Sequence, residues 1–238
     1  LLVLYDDAQS IYQKQRRGFS LASVGIEARG RTSILRLNYR NTAEVLALAA
    51  HCAQALLAEA TPASAGEGDE AVRVVAPTTA GRRGPMPVLI DARNARDEAQ
   101  ALAERFAEAL AEGVPPEECA VLCRTRDAMA PIEAALRERG LPVQSMGAAA
   151  TRHMDWQAPT VKVLTLHSAK GLEFRLVAVT GLQAMPHRGE ALDDAVRLLY
   201  VGMTRSTHTL VLSTHGESPV VTRVRDSLSA VARQFAQG

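Results

Sequence analysis

Aromatic residues are scarce in this sequence, at 4% of 238 residues with a single Trp, so aliphatic side chains must fill the core. Cysteine is scarcer still. Cys52, Cys119 and Cys123 form an odd set with no regular framework, which excludes a disulfide scaffold and implies reduced thiols in a cytoplasmic setting. No Cys or His pair lies near them at zinc spacing, so no metal site is read. Nothing approaches the run of about 18 apolar residues that a membrane span requires. The start, Leu1-Leu2-Val3-Leu4-Tyr5, has no basic lead-in or cleavage site and is not a signal peptide. It has no initiator Met either. It reads as a buried strand entered midway, so the chain is expected to be a fragment. Charge of one sign is missing too: the net value of +1 neither indicates nor excludes nucleic acid, because binding depends on where charge clusters. There is no internal repeat.

What remains is the balance of a globular protein, 47% apolar and 22% charged. Short apolar runs predict strands over 1–5, 33–37, 71–76, 88–91, 119–123, 161–166, 175–180 and 208–213. Helical spacing predicts helices over 43–58 (capped by Asn41-Thr42), 94–112, 128–139 (stopped by Gly140) and 193–202. The tail, 222–235, reads as a loosely held helix. Residues 61–69 and 81–87, rich in Pro, Gly and small residues, read as connections. Strands alternating with helices indicate an α/β fold, a mostly parallel sheet covered on both faces.

Polar segments next to these strands carry the candidate chemistry, because open α/β sheets bind ligands at the carboxyl ends of their strands. They are Asp6-Asp7-Ala8-Gln9-Ser10-Ile11-Tyr12, Leu37-Asn38-Tyr39-Arg40-Asn41, Thr165-Leu166-His167-Ser168-Ala169-Lys170-Gly171-Leu172-Glu173-Phe174, and Leu199-Tyr200-Val201-Gly202-Met203-Thr204-Arg205-Ser206. Singly, each has an ordinary structural explanation. Gln9 can cap a turn, Arg40 can pair with a surface carboxylate, Tyr39 can be a half-buried core ring, and Lys170-Gly171 can end a helical turn.

In this order they resemble motifs III, IV, V and VI of superfamily 1 DNA helicases of the UvrD/Rep type. The likeness runs from one end of the chain to the other, and motif V is its longest and most specific part. The resemblance implies a RecA-like, P-loop NTPase-type fold: residues 31–238 as the second motor domain, with 1–30 as a remnant of the first. It implies that Arg40 and Arg205 are Arg fingers reaching across a cleft to ATP held by the first motor domain, where a planar guanidinium stabilises the charge spread over a transferring phosphoryl group. Gln9 would contact the γ-phosphate or the attacking water. Tyr39, Gly171 and Glu173 would line the nucleotide, with Tyr39 against adenine and Glu173 on the ribose. Thr165, His167, Lys170, Tyr12 and Arg124 would contact single-stranded DNA. Arg124 sits in Leu122-Cys123-Arg124-Thr125, similar to a further helicase element, with a plain surface cation as the alternative.

The sequence departs from that family in four ways. No Gly-x-x-x-x-Gly-Lys-Ser/Thr phosphate loop occurs, nor the Asp-Glu pair that holds magnesium, so ATP with Mg2+ is expected in the full-length protein and not in the fragment. Tyr5 replaces the usual Gly of motif III. The aromatic-Arg-Gly run after Tyr12 is replaced by Gln13-Lys14-Gln15-Arg16-Arg17-Gly18-Phe19, leaving Phe19 as a shifted substitute for a base-stacking ring. Too few residues separate Val143 from Val161 for the helical subdomain that relatives insert there. The expectation is therefore a monomeric piece of an ATP-dependent translocase, inactive alone, with single-stranded DNA and the first motor domain as partners. The alternative is a non-motor DNA-binding or regulatory module that kept the fold. The remaining histidines, His51, His153, His187, His208 and His215, show no acid or Cys partner in the sequence.

Overall fold

The computed structural model describes residues 37–54, 56, 78–146 and 154–237. The expectations for 1–30, with Gln9 and Tyr12, for the strand over 71–76 and for the connection over 61–69 lie outside the described residues.

Among the described residues, eight strands form two parallel sheets. A short pair joins β1 (Leu37–Asn38) to β2 (Thr78–Thr79). The main sheet contains β3 (Val88–Asp91), β4 (Cys119–Cys123), β5 (Val143–Ser145), β6 (Val161–Thr165), β7 (Phe174–Thr180) and β8 (Ser206–Thr214), in the order β3-β8-β7-β4-β6-β5. Every pairing in it is parallel. β5 is an addition to the sequence reading. It is three residues long, too short for alternation to reveal.

Helices cover both faces, as the α/β pattern predicts. Residues alternate along each central strand. On β4, Ala120 and Leu122 join a core with Leu164 and Leu166, while Cys119, Val121 and Cys123 join another with Val161, Val163 and Val211. The first core is closed by α1 (Ala43–Cys52), α4 (Leu192–Met203) and α5 (Pro219–Ala236), the second by α2 (Ala95–Ala111) and α3 (Met129–Glu138). Burial on both faces explains why these strands read as unbroken apolar runs. Each fully buried Leu, Val or Phe contributes about 1.5–3 kcal/mol relative to exposure. Capping sharpens two starts: Thr42 accepts from Val45 N on α1, and Asn94 accepts from Asp97 N on α2.

The last helix corrects the sequence reading. α5 begins earlier than expected, with Ser218 accepting from Val221 N and Pro219 in its first turn. It is not loosely held, because Val220, Val221, Val224 and Val231 are buried. Its arginines and serines lower the average hydropathy and hide that narrow stripe. Among the described residues, no helix is long and apolar enough to cross a membrane.

Candidate functional site

The polar segments do not all lie at the carboxyl ends of the strands. Glu173 and Arg205 immediately precede β7 and β8, so these two sit at the amino edge of the sheet, and Gly171 lies in the crossover just ahead of Glu173. Thr165 ends β6, and His167 and Arg124 follow β6 and β4 at the carboxyl edge. The reason is the crossover from β6 to β7. Both strands run parallel to β4, so residues 166–173 must carry the chain from one edge to the other. One motif therefore touches both edges.

At the amino edge the Asn38 side chain builds a turn. Its Oδ1 accepts from Arg40 N at 2.9 Å and Asn41 N at 3.0 Å. That turn throws the next two side chains outward. Tyr39 is 66% exposed, so it is not a core ring. Arg40 donates from Nε to Glu173 Oε1 at 2.8 Å, with the two side chains 49% and 38% exposed. The Arg40 guanidinium lies 6.0 Å from the Tyr39 ring centroid. Gly171 has φ of +86°, a conformation that L side chains resist, which gives this position a backbone reason for glycine.

Arg205 behaves differently. It is 2% exposed, donating from Nε to Val201 O at 3.0 Å and from a terminal nitrogen to Leu172 O at 3.3 Å. In this domain Arg40 is the solvent-presented arginine and Arg205 the anchored one. Asn41 ties them together. It was expected to share in capping α1, but its buried amide donates to Thr204 O at 3.1 Å and Ser206 O at 2.6 Å, the carbonyls on either side of Arg205. Phe174 N also donates to Arg205 O at 2.9 Å. The β7–β8 register shifts between Phe174 and Leu176, a bulge of the kind found beside functional sites. Tyr39, Arg40, Glu173 and Arg205 are thus drawn to one edge by these contacts.

At the carboxyl edge, Thr165 Oγ1 lies 2.9 Å from Ser168 Oγ and shapes the turn that follows β6. His167 is half-buried. Burial holds its imidazole below the ordinary value of 6.5; Arg124 pushes the same way and Glu190 opposes. Lys170 is exposed. Arg124 is not a plain surface cation: it is largely buried and pairs with Glu190 Oε2 at 3.0 Å. Among the described residues no group of three or more His, Cys, Asp or Glu converges to hold a metal.

One cluster escaped the sequence reading. His215, at the end of β8, does have an acid partner: its Nδ1 lies 2.5 Å from Glu98 Oε2. The other carboxylate oxygen accepts from Thr180 Oγ1 at 2.8 Å, Gly181 N at 3.0 Å and Ser213 Oγ at 2.6 Å. Glu98 is buried despite its polar side chain. The clue was present, since Glu98 falls one turn before Leu102 on the apolar stripe of α2.

The chain resembles proteins of one kind. A family model described as the UvrD-like helicase C-terminal domain matches residues 34–150 and 144–217. DNA helicase II of Escherichia coli is 42% identical over 65 residues, 24% of this chain and 9% of that protein. The ATP-dependent DNA helicase UvrD1 of Mycobacterium tuberculosis is 45% identical over 64 residues, 24% of this chain and 8% of that protein. The matched segment thus spans less than a tenth of either relative. Among solved structures, the C-terminal domain of a possible DNA helicase from Lactobacillus plantarum WCFS1 superposes with a TM-score of 0.55 at 21% identity, covering 80% of this chain and 96% of that one.

Proposed function

The chain belongs to the family of UvrD-like helicase C-terminal domains, and from that premise we propose that it is the reaching half of an ATP-driven DNA motor. ATP is held by a preceding motor domain with its own phosphate loop. This domain closes on it with Arg40, whose charge stabilises the transferring phosphoryl group, and with Arg205, which exchanges its carbonyl contacts for phosphate as the cleft shuts. Tyr39 packs on the base and Glu173 accepts from the ribose, releasing Arg40 from the ion pair that holds both in the open state. Gln9 orients the γ-phosphate or the water. Single-stranded DNA crosses the carboxyl edge at Thr165, His167 and Lys170, with Tyr12 and Arg124 beside it. Hydrolysis removes the charge that favours closure, and the cleft reopens.

The observation that carries this reading is the convergence at the amino edge. Arg40 pairs with Glu173, and Asn41 bonds the carbonyls flanking Arg205, so three segments far apart in sequence are tied together there, with Arg40 and Glu173 exposed and Arg205 buried beside them. The crossover 166–173 also runs from that edge to the DNA edge, a direct mechanical path between hydrolysis and grip. Steady-state ATP hydrolysis by the purified chain tests the half-site directly. No turnover is expected without a phosphate loop. Turnover that disappears on Arg205→Ala would overturn the proposal.

A further inference from the structure

The backbone around Arg40 leaves few polar groups unaccounted for, and most of its partners come from one segment. Asn38 serves the amides of Arg40 and Asn41. The rest falls to residues 78–84. Ala80 N donates to Asn38 O at 2.9 Å, continuing the β1–β2 ladder. Arg82 donates from one terminal nitrogen to Arg40 O at 3.0 Å and Tyr39 O at 3.4 Å. Its own carbonyl accepts from Ala43 N at 2.8 Å, which satisfies an amide in the first turn of α1.

This segment is itself pinned from below. Glu44, on α1, is 2% exposed, and its carboxylate accepts from Arg83 Nε at 2.6 Å and Gly84 N at 2.9 Å. A charge is buried at such a place only where it is paired and hydrogen-bonded. Gly84 fits closely: a Cβ there would stand 2.6 Å from Thr42 Cγ2 and 3.2 Å from His208 O. The Arg83 guanidinium lies over the Phe235 ring, 4.9 Å from its centroid, so α5 buttresses the outer side.

We propose that residues 78–84 form a strap that fixes the peptide of Arg40, with Arg82 as a positioning residue that acts through Arg40. This rests on the role proposed above for Arg40. Arg40 has a long side chain held at its tip by an exposed ion pair, which is weak in water. Its aim therefore depends on where its backbone is held, and a displacement of about 1 Å in a catalytic group can cost a hundredfold in rate. A Lys at 82 would keep the charge but lose the planar guanidinium whose single terminal nitrogen reaches both carbonyls.

The test is steady-state ATP turnover by the full-length protein that carries this domain, for Arg82→Ala, Arg82→Lys, Arg40→Ala and the Arg40→Ala/Arg82→Ala double variant, with thermal melting as a control. Arg82 is exposed, so folding is expected to persist. Arg82→Ala is expected to lower kcat by about tenfold to a hundredfold with KM kept, on the scale of a misplaced group. Arg82→Lys should restore part of the loss, and the double variant should be no slower than Arg40→Ala alone. Parental kcat in Arg82→Ala, or a loss that multiplies with that of Arg40→Ala, overturns the strap while leaving the half-site reading intact. Parental kcat in Arg40→Ala overturns both.

Discussion

At the scale of single residues, the carboxyl edge makes a statement about charge. His167 prefers the neutral form in the folded protein, because burial and Arg124 both oppose a second positive charge there. The sign follows from linkage. Its contribution to stability is complete above the unfolded value near 6.5 and is lost as pH falls from there through the lower folded value, since the unfolded chain takes up the proton first. Denaturant midpoints measured across that acid range should show a smaller loss for His167→Gln than for the parent. Under the proposed DNA path, His167 would meet a phosphate as a hydrogen-bond donor at neutral pH, whereas Lys170 would meet it as a cation. In salt titrations of single-stranded DNA binding by the full-length protein, Lys170→Ala should flatten the slope of log affinity against log salt by about 0.7, and His167→Gln should leave the slope unchanged. Equal slopes for parent and Lys170→Ala would remove Lys170 from the interface. The three thiols carry no such role. All are buried and free, and burial pushes Cys52 up to about 11 and Cys119 up to about 12.

At the scale of elements, much depends on how closely α4 lies on the sheet. A Cβ on Gly202 would stand 2.3 Å from Leu166 Cδ2, and Leu166 is the first residue of the crossover that links the two edges. Gly202→Ala should therefore cost about 1–3 kcal/mol in chemical denaturation, the range for overpacking a filled core. Leu166→Ala opens space at the same contact, so the double variant should cost less than the sum of the singles. Additive losses would show that the two do not press on each other. Elements were also the scale at which sequence was most legible. β4 and α2 stood out because one is apolar throughout and the other has a clean stripe, and their bounds moved by no more than a residue. β5 and the tight packing of α5 did not, since three residues show no period and a pattern of four valines was diluted by arginine and serine. Glu98 and Lys162 were hidden for a different reason. Lys162 lies within an apolar strand and donates from Nζ to Asp155 O at 2.7 Å and Ala158 O at 3.0 Å, and such pairing depends on partners that only the folded chain brings near.

At the scale of the whole molecule, the residues proposed for ATP and for DNA fall toward opposite edges of the sheet, and the crossover 166–173 joins those edges. Motif spacing singled out candidate side chains, but not that Glu173 and Arg205 precede their strands, because strand direction relative to a loop is a property of the assembled sheet. Nor did it reveal that Arg205 faces inward while Arg40 faces out, or that Asn41 couples them. That difference makes Arg40 the sharper probe of the central claim, since its truncation leaves no buried guanidinium sites empty. The decisive measurement is the affinity of the full-length protein for ADP with aluminium fluoride, a mimic of the transferring phosphoryl group, set beside its affinity for ADP alone. If this domain supplies charge that matters in the transition state, Arg40→Ala should weaken the mimic by about a hundredfold or more and leave ADP binding unchanged. Parental affinity for both would contradict the account.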